Sequence, residues 1–145
     1  MSRGEVTLRL EPLEATTKQG EKIGVKLIFV GGTYDTTLVL PAGADPSGVL
    51  AYHLTDVASA HAREARASDP RSFAADALRP LAAGASIEVV HAELEFERPE
   101  GWTPVLPAGR YRIVGTYDEG KALRPANRTS RVLRSEPVEI VVTPP

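Results

Sequence analysis

Histidines, carboxylates and hydroxyls are where chemistry would start, and in this chain they are scattered. The histidines are His53, His61 and His91. No two stand at the i, i+2 or i, i+4 spacing that lets a strand or helix face hold a metal, and there is no cysteine to complete a ligand set. They are expected to be surface or half-buried side chains. Gly-x-Ser-x-Gly does not occur, and its nearest imitation, Asp45-Pro46-Ser47-Gly48, reads as a turn. Gly31-Gly32 lacks the Lys-Ser/Thr of a phosphate-binding loop. Asp118-Glu119-Gly120 brings too few oxygens together for calcium and reads as a hairpin tip. The expectation is a protein that is not an enzyme, with no cofactor and no metal.

Recognition is the chemistry that remains. Lys121, Arg124, Arg128, Arg131 and Arg134 lie in one stretch that contains no acid. Glu88, Glu93, Glu95, Glu97 and Glu100 crowd an earlier stretch with the opposite sign. On the bland view both are solvated faces that meet across strands, where an exposed pair contributes only ~0–1 kcal/mol. On the functional view the basic stretch grips an anionic partner. Trp102 sits in Pro99-Glu100-Gly101-Trp102-Thr103-Pro104. It either plugs the end of a core or anchors a contact, and a plug is expected because exposed tryptophan costs solubility. Trp102, Lys121, Arg124, Arg128, Arg131 and Arg134 are therefore the candidate partner-binding residues. A protein is the expected partner, since a net charge of −2 argues against nucleic acid. No apolar run approaches membrane-spanning length, and Met1–Glu5 opens no signal peptide, so the expected compartment is the cytoplasm, with a trimmed secreted chain as the alternative. Oligomeric state stays open.

The elements that must position these residues alternate with period two. At 145 residues the chain fits a single domain, 1–145. Val6, Leu8 and Leu10 alternate with polar residues, then a polar turn is expected over Thr16–Glu21. Strands follow over Ile23–Val30, Thr36–Leu40 and Leu50–Asp56, with a loop at Ala42–Gly48. Val57–Asp69 is rich in Ala, Arg and Glu with little to bury, and predicts an exposed loop with one or two helical turns. Ser72–Leu81 holds a short strand or turn. Ile87–Phe96 predicts one long strand whose apolar phase shifts midway, the mark of a β-bulge or of a bend where a strand changes sheets. Glu97–Pro104 predicts a stiff loop. Tyr111, Ile113, Gly115 and Tyr117 share one phase of the clearest strand, and Val138, Ile140 and Val142 close the chain.

Several of these turns resemble a recurring layout of immunoglobulin-like domains. Leu106-x-x-Gly109-x-Tyr111 at a strand entry resembles the tyrosine corner. Leu54-Thr55-Asp56, Leu81-x-x-Gly84-x-Ser86 and Ser135-x-Pro137-Val138-x-Ile140 complete the layout. It is similar to that of the bacterial intracellular proteinase-inhibitor family and of Ig-like domains attached to secreted metallopeptidases. The resemblance implies an all-β, immunoglobulin-like antiparallel β-sandwich of about seven to nine strands. It implies a non-catalytic interaction or structural module that presents loops to a protein, or alternatively a proteinase inhibitor that inserts a loop into a protease cleft. Tyr111, Ile113, Ile140, Val25, Leu27 and Leu94 are the expected core. Tyr111→Phe is predicted to remove a corner hydrogen bond while keeping the ring buried, at a cost of ~0.5–1.5 kcal/mol. A denaturation midpoint equal to that of the parent protein would refute the corner.

Overall fold

The alternating patterns become thirteen strands in the computed structural model, which describes residues 5–40, 49–67, 77–119 and 131–145. They are β1 (Thr7–Pro12), β2 (Thr16–Lys18), β3 (Val25–Val30), β4 (Thr36–Leu40), β5 (Leu50–Asp56), β6 (Ala62–Ala67) and β7 (Ala77–Leu81). Then follow β8 (Ser86–His91), β9 (Leu94–Arg98), β10 (Gly101–Thr103), β11 (Gly109–Asp118), β12 (Val132–Arg134) and β13 (Val138–Thr143). No α-helix occurs among the described residues.

One layer is the three-stranded sheet β1-β3-β8. The pair β4-β7 extends it, because β3 runs on into β4 while β7 runs on into β8. The break between the two ladders is bridged by Gly31 N–H donating to Ala85 O at 2.7 Å and Gly84 N–H donating to Gly32 O at 3.1 Å. The other layer is an eight-stranded sheet in the order β10-β9-β6-β5-β11-β13-β2, with β12 also on β11. All pairings are antiparallel except that of β13 with β2. The inner faces of the two layers make one apolar core, which is how two sheets with alternating side chains remove their apolar surface from water. The fold is an all-β, immunoglobulin-like sandwich. All six expected core residues, Tyr111, Ile113, Ile140, Val25, Leu27 and Leu94, are buried.

Four expectations give way, and a fifth is resolved. The strands number thirteen, not seven to nine, because short edge pieces pair that carry no pattern of their own. Thr16–Lys18, expected to be turn, forms β2 against the end of β13. Val57–Asp69 is not a loop with helical turns: Ala62–Ala67 is the strand β6, and Ala65 is buried between Tyr52 and Phe96 in register. Two ring-bearing neighbours leave a methyl-sized gap there, so packing overrides alanine's helix propensity. Ile87–Phe96 divides at Ala92-Glu93 into β8 in one sheet and β9 in the other, so the phase shift marks a crossing between layers. The expected loop over Glu97–Pro104 contains the hairpin β9–β10. The loop expected at Ala42–Gly48 lies outside the described residues.

β11 is a central strand of the large sheet. It pairs with β5 on one side and with β13, then β12, on the other. Ser135 joins the last two: its N–H donates to Gly115 O at 2.9 Å, and its Oγ accepts from Gly115 N–H at 2.9 Å. The predicted corner is present, with Tyr111 Oη donating to Pro107 O at 2.6 Å. At the middle of β11 the facing sheet comes so close that a Cβ on Gly115 would lie 2.8 Å from Leu27 Cδ2. Leu27 is fully buried and has nowhere to swing. Gly115→Ala is predicted to overpack the core by about 1–3 kcal/mol. A Leu27→Val background should reduce that cost, which urea midpoints of the single and double variants would measure.

Candidate functional site

The basic stretch begins where β11 ends. Lys121, Arg124 and Arg128 lie outside the described residues, but Arg131 and Arg134 do not. Glu119 is completely buried. Its N–H donates to Arg131 O at 2.9 Å, and Arg131 N–H donates to Glu119 Oε1 at 3.2 Å. The Arg131 side chain keeps only 24% of its surface exposed, with Nη1 3.9 Å from Glu119 Oε2 and Nη2 donating to Thr36 Oγ1 at 2.8 Å. Arg131 is thus a strut between β4 and the end of β11, and its charge faces the interior. Tyr117 completes the strut. Its hydroxyl donates to Glu119 Oε2 at 2.6 Å and accepts from Val39 N–H at 2.9 Å. Burial first, and the Glu119 carboxylate second, push the Tyr117 phenol well above its ordinary range, so it stays a donor. Arg134, by contrast, is exposed on β12 opposite Thr116, two residues from the exposed Val132.

Trp102 lies elsewhere, and it is not a plug. It belongs to β10 at the edge of the large sheet, opposite Glu97 on β9, and is 38% exposed. The Arg66 guanidinium sits 4.1 Å from the centre of its ring. Arg66 is itself held from behind, with Nε donating to Glu95 Oε1 at 3.4 Å across the β6–β9 pair. A short β10 has little apolar surface to cover, so the indole stays on the outer face and takes a cation as its neighbour. Between β10 and β12 stand β9, β6, β5 and β11. At ~4.8 Å per strand, Trp102 and Arg134 are roughly 24 Å apart. Among the described candidate residues, the structure does not bring Trp102, Arg131 and Arg134 into one site.

Among the described residues, the acidic stretch does not pair with the basic one. Glu88 pairs with Lys26 at 3.3 Å, Glu93 with Lys22 at 3.7 Å, Glu95 with Arg66, and Glu100 with Arg98 at 3.2 Å. Sequence inspection missed Arg66 and its neighbours because β6 was not recognisable as a strand. Two of the three histidines are also partnered: His53 Nδ1 lies 2.8 Å from Glu64 Oε1, and His91 Nδ1 hydrogen-bonds the Tyr52 hydroxyl. Among the described residues, no three His, Asp or Glu side chains are grouped to hold a metal, and no helix is long and apolar enough to cross a membrane.

No family model and no curated protein matches the sequence. Among solved structures, the chain is similar to the sporulation control protein Spo0M of Bacillus subtilis, with a TM-score of 0.49 and 11% identity over 97% of this chain and 50% of that one. It is similar to a CARDB domain from Pyrococcus furiosus crystallised with di-metal ions, with a TM-score of 0.43 and 10% identity over 100% of this chain and 98% of that one. It is also similar to part of a Listeria innocua β-glucosidase in complex with glucose, with a TM-score of 0.42 and 15% identity over 96% of this chain and 16% of that one. The chain spans half the length of Spo0M. Likenesses of this depth carry no argument for activity, metal or partner, and the resemblance to the proteinase-inhibitor family rests on its turn motifs alone.

The strut generates a comparison of two tyrosines. Tyr117→Phe strands a buried backbone N–H at Val39 and removes a donor from a buried carboxylate, whereas Tyr111→Phe frees one carbonyl near the surface. Tyr117→Phe is predicted to cost about 1–3 kcal/mol and to exceed Tyr111→Phe. Paired chemical-denaturation curves check the order, and equal losses would refute the strut.

Proposed function

We propose that this domain is a non-catalytic protein-interaction module that docks its partner on the outer face of the large sheet, around Trp102. The observation that carries the proposal is the Arg66–Trp102 stack. A half-exposed indole lies against a guanidinium that is fixed from behind by Glu95. Tryptophan and arginine dominate binding energy at protein interfaces because they offer a large contact area. Here both are pre-positioned on paired strands, so less conformational freedom is lost on docking. Arg134 and Val132 on β12 offer a second, separate exposed area at the mouth of the basic stretch. The stack is favoured over it because its geometry is held by partners on three strands.

The test is competitive capture and affinity measurement with a partner drawn from the source cell. Trp102→Ala is expected to weaken the complex about 30-fold or more, the loss typical of a central anchor. Val132→Ala is the control and should bind as the parent protein does. Equal binding by Trp102→Ala and the parent protein would remove the proposal.

A further inference from the structure

The ladder between β6 and β9 stops early. It pairs Ala65 with Phe96, Arg66 with Glu95 and Ala67 with Leu94. One step further, the Glu64 N–H finds the Glu97 carboxylate, Oε1 at 3.5 Å, instead of a backbone carbonyl. A further step in the same register sets Arg63 opposite Arg98. Like charges directly opposite each other on neighbouring strands repel. The strands part there, and a cleft of 430 Å³ opens between them, lined by His61, Ala62, Arg63, Glu97, Arg98 and Pro99.

The cleft is rigid on one side and carries an arginine on each. Asp56 Oδ1 accepts from Ala58 N–H at 2.9 Å and from Ser59 N–H at 3.3 Å, and Ala60 takes a left-handed φ of 61°. This fixes the turn that delivers His61 and Arg63. Arg63 is half-buried, and among the described residues its guanidinium has no ion pair or hydrogen bond. Arg63 also lies near the Asp56–Tyr111 end of the sheet, where it opposes the upward push that burial and Asp56 give the Tyr111 phenol. Arg98 uses Nε to hold Glu100, and both side chains are largely in water. Glu97 is the one carboxylate in the lining, and its Oε1 faces the Glu64 N–H. Two guanidinium groups therefore face one gap with a single acid at its rim. Planar guanidinium groups bind carboxylates through paired N–H donors.

We infer that the cleft receives an acidic side chain of the protein partner, whose carboxylate bridges Arg63 and Arg98. This rests on the docking face proposed above. Trp102 pairs with the cleft residue Glu97, so the cleft opens at the edge of the docking face, and a partner that reaches around that edge meets both. The test is a nuclear magnetic resonance titration that follows the arginine Nε–Hε signals of the whole protein. The probes are a blocked tetraglutamate peptide, its tetraglutamine counterpart and inorganic phosphate. Arg63 and Arg98 signals are expected to move saturably with tetraglutamate and to stay still with tetraglutamine. Arg63→Gln and, separately, Arg98→Gln are expected to weaken that binding about tenfold, as loss of a charge-assisted hydrogen bond does. Circular dichroism identifies a variant that has unfolded, and the other variant then decides. Equal response to tetraglutamine overturns the inference. So does an equal shift at Arg112 and Arg134, or a response to phosphate alone. The titration needs no partner. Silence here alongside a Trp102-dependent complex therefore removes the carboxylate site and leaves the docking face standing, and the reverse pattern removes the docking face.

Discussion

Two buried phenol hydroxyls, one near each end of β11, are the constraint on which this sandwich depends. A buried hydroxyl without a partner costs more than the net worth of the hydrogen bond it would make. Tyr111 meets that demand within its own corner, on Pro107 O. Tyr117 meets it across the sandwich, on Val39 N–H and Glu119. The second solution ties the extension β4 to the large sheet and fixes the point where the chain leaves β11. Between the two tyrosines, Gly115 lets Leu27 and Tyr52 close over the strand. β11 is held at both ends and pressed in the middle, so its register with β5 and β13 has little freedom to slip.

Charge is arranged around that frame, and it was the least legible part of the sequence. The basic stretch after residue 120 has no acid of its own, yet Arg131 turns inward to an acid just before it. A pairing across the two ends of a connection leaves no local pattern, because the partners are set by where the chain returns. The acidic residues of β8 and β9 likewise find cations on β3 and β6, strands far from them in sequence. These surface pairs contribute little energy each. Their consequence is that neither charge run is a free patch over its whole length.

Strands were legible where burial repeats over several residues and illegible where a neighbour alone makes the strand. Thr36–Leu40 and Leu50–Asp56 were readable to the residue, and so was the face of β11, because apolar side chains alternate or cluster there. The phase shift in Ile87–Phe96 was readable as one of two devices, and the crossing between sheets is the one present. β2 and β10 have three residues each, too few to show a period. β6 has six, but its inward residue is Ala65, whose size answers to Tyr52 and Phe96 and not to any preference of its own. The Arg66–Trp102 stack was hidden for the same reason: one partner sat in an unrecognised strand and the other was expected in the core.

The placement of arginines on β6 is what separates a site from a surface. Arg66 points outward to Glu95 and Trp102, a cation satisfied twice. Arg63, three residues earlier, stands on the opposite face, at the end of the strand where the core runs out. Its cross-strand position would be Arg98, and the ladder ends before that pair can form. An acid at either position would extend the sheet with a favourable cross-strand pair. The two arginines instead forgo pairing with each other; Arg98 keeps Glu100, and Arg63 has no ion pair among the described residues. Arg131 makes the contrast clear. There, a cation of comparable burial has a carboxylate beside it and a hydroxyl as hydrogen-bond acceptor. Arg63 lacks both, and the chemistry that would supply them is an anion from outside the chain.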